Sequence, residues 1–191
     1  MKKFIIILAL FLLAAPGVLA CTNFPINVGV IDTPEGRVLA ETLSILINER
    51  SGVTVGTHYF KTSAEMYKAV AEEKLEMIIE NTTAALLVMD TPVVEDPQVN
   101  LDQAKELFKG KKLIWLKPFA FTAKDTKGNS VITASVISRK SLTQFPALPR
   151  VIGKLAKVID NEALAGLVKG VKGSKKPRVV ARDFLIEKHL I

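Results

Sequence analysis

The chain has 191 residues, 49% of them hydrophobic and 24% charged, a balance that suits one folded domain and excludes a disordered chain. Lys and Arg number 26 against 19 Asp and Glu, for a formal net charge of +7, so the chain is basic. Its single cysteine excludes an intramolecular disulfide and leaves stability to the core.

The first twenty positions differ in composition from the rest. Lys2 and Lys3 precede an apolar run over 4–15, which gives way to Pro16, Gly17 and small residues, the pattern of an export signal over 1–20. The run is shorter than the roughly 20 apolar residues that span a bilayer. Outside the cytosol a basic surface meets anionic lipid or acidic wall polymers, so nucleic acid is not an expected partner. Cys21 follows Val18-Leu19-Ala20, at the point where such a signal is cut. Two readings of it stand open. Val18 and Ala20 fit a lipobox, although Leu19 is bulkier than the usual middle residue, and Cys21 then becomes a lipid-modified N-terminus. Ordinary cleavage would instead leave a free thiol. The working expectation is an exported lipoprotein, periplasmic or at the cell surface, whose membrane partner is reached through Cys21.

Past the leader, strand and helix signals alternate. The apolar run over 26–31 reads as a buried strand. Thr33 then caps a helix, Pro34 suits its first position and Glu35 complements its dipole. Val38, Leu39, Leu43, Leu46 and Ile47 recur at helical spacing up to a stop at Gly52. A second strand is predicted over 53–60, a second helix capped by Ser63, a third strand over 77–79 and a third helix over 82–89. This order predicts parallel strands joined by helical crossovers. Residues 90–99, with Pro92 and Pro97, read as a loop. Asn100-Leu101-Asp102-Gln103 suggests a capped start to a helix ending at Gly110. A fourth strand follows over 113–116. Two β-prone runs, 120–124 and 130–138, flank the polar stretch 125–129 and predict a hairpin. The C-terminal part reads as helices over 149–159, 162–171 and 177–188.

Several stretches resemble the substrate-binding proteins of glycine betaine and quaternary-amine ABC transporters. Glu35, two residues, then Val38-Leu39-Ala40-Glu41-Thr42-Leu43 is similar to that family's Glu-x-x-Ile-Leu-Ala-Glu-Ile-Leu. Glu76-Met77-Ile78-Ile79-Glu80-Asn81-Thr82-Thr83-Ala84-Ala85-Leu86 falls in register with its Asp-Val-Tyr-Pro-Glu-Tyr-Thr-Gly-Thr-Ala-Leu. Leu113-Ile114-Trp115-Leu116-Lys117-Pro118, Phe145-Pro146-Ala147-Leu148-Pro149 and Pro177-Arg178-Val179-Val180-Ala181-Arg182-Asp183-Phe184-Leu185 resemble later segments in the same order. The resemblance implies an α/β fold of the periplasmic-binding-protein kind: a mostly parallel sheet with an antiparallel hairpin, helices on both faces and a helical C-terminus. It implies a non-catalytic solute carrier with an ABC permease or another envelope protein as partner.

The departures bear on function. Family members clamp their ligand between two lobes, and here the outgoing and returning strands join directly through 125–129, so 21–191 reads as a single lobe. Cation–π attraction by aromatic faces ordinarily holds a quaternary ammonium. Ile78 and Asn81 stand where the family has tyrosines, and Thr33 where it has phenylalanine. Thr33, Glu35, Glu80, Thr82 and Thr83 remain as candidate ligand-binding residues, because they fall at the C-terminal ends of the first and third strands, where open α/β sheets bind ligands. A structural role as caps and dipole partners accounts for the same residues. His58 and His189 lie far apart in sequence with no nucleophile beside either, and no metal-ligand spacing or phosphate-binding loop occurs, so neither catalysis nor a cofactor is expected. Trp115 reads as core. The open alternative is a scaffold that binds a protein partner through the face a second lobe would cover.

Overall fold

The strands Ile26–Ile31 and Met77–Asn81 are apolar on both sides over most of their length because helices cover both faces of the sheet they form. In the computed structural model, which describes residues 25–119, 122–124, 128, 130–173 and 175–191, the leader, Cys21 and most of the 125–129 turn lie outside the described residues. The first half runs β1 (Ile26–Ile31), α1 (Pro34–Ser51), β2 (Val55–Phe60), α2 (Ser63–Ala71), β3 (Met77–Asn81) and α3 (Thr82–Val88). After α4 (Pro97–Lys109) come β4 (Leu113–Trp115), β5 (Thr122–Lys124) and β6 (Ser130–Ser138). The C-terminal part is α5 (Arg139–Gln144), α6 (Leu148–Ile152), a 3₁₀ turn (Leu155–Lys157), α7 (Asn161–Lys172) and α8 (Pro177–Glu187).

The strands follow the order β2-β1-β3-β6-β4, with β5 pairing β6 beyond that path. β1 lies parallel to both β2 and β3, as the strand–helix alternation predicts. β6 alone runs against the others, pairing antiparallel with β3 on one edge and with β4 and then β5 on the other. The predicted hairpin is therefore present as paired strands, Lys124 opposite Ser130 and Thr122 opposite Ile132. Between Trp115 and Thr122 the outgoing arm carries more residues than the stretch of β6 it faces. Pro118, which has no N–H to give a ladder, lies in that bulged segment.

Side-chain alternation sorts two cores. Met77, Ile79 and Ile137 face α1 and the C-terminal helices, joining Leu43, Leu46, Leu155 and Leu185. Ile78, Ala134, Val136 and Trp115 face α2, α3 and α4, joining Met66, Leu86, Leu101 and Phe108. Ion pairs from Arg178 to Glu41 and Arg182 to Glu49 line the exposed seam between α8 and α1.

Several helix starts differ from the sequence reading, each for a local reason. Thr62, not Ser63, caps α2 by accepting from the Glu65 N–H at 3.2 Å. β3 runs two residues further than predicted, so Asn81 caps α3 through the Ala84 N–H at 2.8 Å. α4 begins at Pro97 under an Asp96 cap, and Asn100 is buried inside it, its amide bonding both backbone groups of Val94 at 2.9 and 2.8 Å. Ser138 caps the unpredicted α5 through the Ser141 N–H at 3.0 Å. The helix predicted over 149–159 breaks at Gly153 into α6 and the 3₁₀ turn.

The junction of β1 and α1 is set by Gly36. A Cβ there would stand 2.1 Å from the Ile31 carbonyl oxygen, so only glycine lets the first turn of α1 close on the strand end. Gly166, in contrast, lies inside α7 with nothing within 4 Å of an added Cβ. Gly36→Ala is expected to destabilise the fold by roughly 1–3 kcal/mol through overpacking, while Gly166→Ala stabilises it by about 1 kcal/mol through helix propensity. Thermal unfolding of the two variants checks both signs; a Gly36→Ala protein that melts no lower than the parent contradicts the close approach.

Candidate functional site

Parallel pairing of β1 and β3 brings their C-terminal ends to one edge of the sheet, and the five candidate residues lie at or just after those ends. Thr33 is exposed and its hydroxyl accepts from the Gly36 N–H at 3.0 Å, which makes it the N-cap of α1. Glu35, in the first turn, is half-buried, and burial pushes its carboxyl above the ordinary range. A cavity of about 490 Å³ opens beside Thr33, walled by Asp32, Pro34, Arg37, Val171, Lys175 and Lys176. Arg37 is held there by Asp32, Nε to Oδ1 at 2.5 Å.

Glu80, Thr82 and Thr83 come together at the β3–α3 junction but turn inward. Thr82 is fully buried and its hydroxyl accepts from the Ile132 N–H at 3.3 Å, stitching α3 to β6. Glu80 is 2% exposed and lies opposite Ala134, on the face that packs against α2 to α4. One carboxylate oxygen takes the Asn81 N–H at 2.8 Å, and the other has no hydrogen-bond partner. Burial raises its pKa to about 7, opposed in part by the Ser63 hydroxyl and the Asn81 N–H. The Thr83 hydroxyl beside it is also buried without a partner.

Sequence reasoning missed the other buried polar atoms of this part of the fold, of which the Tyr67 phenol feels the Glu80 charge. The Tyr67 hydroxyl, Gln103 Oε1 and Trp115 Nε1 are buried and unpartnered in the same layer. Burial and the charge of Glu80 both push the Tyr67 phenol upward. Tyr67 stacks on Phe108 at 5.3 Å, and Phe108 meets Trp115 edge-on at 6.1 Å. Trp115 is core, as its sequence context predicts. These atoms come from α2, β3, α3, α4 and β4, and no sequence window holds more than two of them.

The positions where aromatic rings were expected in the resembling family have other work here. Ile78 is fully buried in the core, and Asn81 and Thr33 are caps. Phe119 is core, and its N–H joins the β6 ladder at Thr133 O, 3.0 Å. His58 is exposed on the edge strand β2, its Nε2 3.0 Å from Asn27 Oδ1. Among the described residues no three His, Cys, Asp or Glu side chains converge as a metal site, and no helix is long and apolar enough to cross a membrane.

The fold is that of a periplasmic-binding-protein α/β lobe, and solved structures agree. A glycine betaine/carnitine/choline ABC transporter structure superposes with a TM-score of 0.78 at 13% identity, covering 86% of this chain and 99% of that one. YehZ from Escherichia coli, in its apo form, gives 0.75 at 14% identity over 87% and 99%. Lactococcal OpuAC, closed around glycine betaine, gives 0.54 at 11% identity over 86% and 96%. No curated protein matches the sequence. Residues 25–128, more than half of the chain, match the family described as the substrate-binding domain of ABC-type glycine betaine transport systems. The chain belongs to that family, a family of solute-binding rather than catalytic proteins.

Glu80 makes stability depend on pH. Its folded-state pKa of about 7 lies above the ordinary 4.5, so between those values the folded protein holds a proton that the unfolded chain has lost. Stability therefore falls as pH rises from about 4.5 through 7 and levels off above. Glu80→Gln is expected to flatten that fall and to raise stability at pH 8 by up to about 3 kcal/mol. Denaturant unfolding of both proteins at pH 5 and pH 8 measures it, and an identical pH slope in the two would rule the buried carboxyl out as its source.

Proposed function

We propose that this chain is an exported, non-catalytic solute-binding-type module, anchored by a lipid at Cys21, that has lost tight recognition of quaternary amines. The observation that carries this reading is the use made of the strand ends. Thr33 and Asn81 are committed to capping, Ile78 to the core and Thr82 to bonding β6, so no aromatic cage is assembled from these positions. The direct pairing of β5 with β6 supports a single-lobe reading of 21–191, in which no second lobe closes over that edge. An ABC permease is the partner that family membership suggests, at a periplasmic or cell-surface location.

Affinity gives the test. A clamped ligand held at micromolar strength corresponds to about −8 kcal/mol, and loss of half the contacts leaves about −4 kcal/mol, or millimolar. Missing aromatic faces remove roughly 0.5–2 kcal/mol each beyond that. Calorimetric titration of the domain with glycine betaine, choline and carnitine should give dissociation constants in the millimolar range or no saturation. A constant below about 100 μM for any of them would overturn the loss of recognition and make transport the leading role.

The anchor is tested separately. Produced in a bacterium, the native chain should partition into detergent, and Cys21→Ser should shift it to the aqueous phase. Equal partition of the two forms would exclude lipid attachment at Cys21.

A further inference from the structure

At the opposite edge of the sheet, where β3 and β4 begin and β6 ends, a second cavity of about 520 Å³ opens under α2, α3 and α4. That volume falls within the range of small-molecule sites. Its floor is apolar: Val70, Leu75, Val88, Met89, Phe108 and Leu113, with the Tyr67 ring alongside. Its rim is not. Lys111, Lys112, Arg139 and Lys140 stand around the mouth with Glu73 and Glu76.

The acids and the helix ends at this rim already have partners. Glu73 pairs with Lys140 at 2.9 Å, and Glu76 Oε2 accepts the Asn27 N–H at 2.7 Å. The carbonyl ends of α2 and α3 are closed by backbone caps. Glu73 N–H bonds Val70 O and Lys74 N–H bonds Ala69 O, at 3.0 and 2.9 Å. Asp90 N–H bonds Leu87 O and Thr91 N–H bonds Leu86 O, at 3.1 and 3.0 Å. These closures hold Glu73 and Asp90 in the left-handed region, and Lys112 adopts it at the end of α4, with φ of 54°, 50° and 58°. The cations are less committed: Lys140 takes Glu73, and Lys112 acts on the same carboxyl only at a distance. Lys111, Lys112 and Arg139 have no ion-pair partner among the described residues, and the Arg139 N–H donates to Lys112 O at 2.8 Å, which ties two of them together at the mouth.

We infer that this cavity is a binding site for a small single-chain amphiphilic anion, its apolar body on the Phe108–Leu113 floor and its carboxylate between Lys111, Lys112 and Arg139. The inference is independent of the edge at the other ends of the strands, where the family's quaternary-amine motifs fall. Trp115 is the only tryptophan in the chain and touches Phe108 edge-on, so its fluorescence reports on the floor.

The test uses the full chain, titrated with decanoate, with decanol, and with decyltrimethylammonium as the cationic counterpart of equal tail length. Decanoate should bind with a constant of roughly 10–100 μM and change Trp115 emission, with the cationic amphiphile at least tenfold weaker. The double variant Lys112→Glu/Arg139→Glu should weaken decanoate at least tenfold and leave decanol unchanged. Ala71→Trp, at an exposed position on the wall, should block both decanoate and decanol. Equal affinity for the two charged amphiphiles, no saturation by decanoate below 1 mM, or indifference to both variants would each overturn the assignment.

Discussion

The fold depends on β6. Nine residues long, it is the strand that closes the exposed edge of β3 and simultaneously gives β4 and β5 their only described partner. A buried strand edge leaves N–H and C=O groups that must be satisfied, and β3 is buried on both faces as well. Without β6, the centre of the sheet would hold unpaired backbone under two helical layers. That requirement is met along the whole of β3, with Met77 opposite Ile137 and Ile114 opposite the same residue from the other side.

Because β3 sits at the centre, its side chains meet whatever the two helical layers present. Met77 and Ile79 find apolar partners from α1 and the C-terminal helices. Ile78 does likewise from α2 and α4, but Glu80, on the same face, is buried with one of its oxygens unpaired and acts on the Tyr67 phenol. An uncompensated carboxylate in a core is costly in its charged form. The pocket answers by favouring the protonated one. This strand end is thus occupied by a buried acid rather than by an open receptor surface, and Thr33, Asn81 and Thr82 are spent on caps and on the link to β6.

The two ends of the sheet consequently have different characters. The edge that carries the strand C-termini has Thr33, Asn81 and Thr82 engaged with backbone and Glu80 and Thr83 turned into the core. The other edge combines an apolar hollow with Lys111, Lys112 and Arg139, which make no close ion pair among the described residues.

Much of the architecture was legible in the sequence by itself. β1 and β6 have the bounds their apolar runs suggest, Gly52 ends α1 in the left-handed conformation, and the Trp115 run is core, because period and turn chemistry act over a few neighbouring residues. Family membership was legible too, since its motifs lie in order along the chain. Only the tertiary structure decided which of two adjacent polar residues caps a helix, since Thr62 or Ser63, and Asn81 or Thr82, are equivalent until the strand end is fixed. It alone decided that Glu80 points into a layer built from five elements, and that the rim cations Lys112 and Arg139 adjoin across the sheet edge. Those relations join residues distant in sequence, and no local propensity carries information about the distance between elements once they are packed.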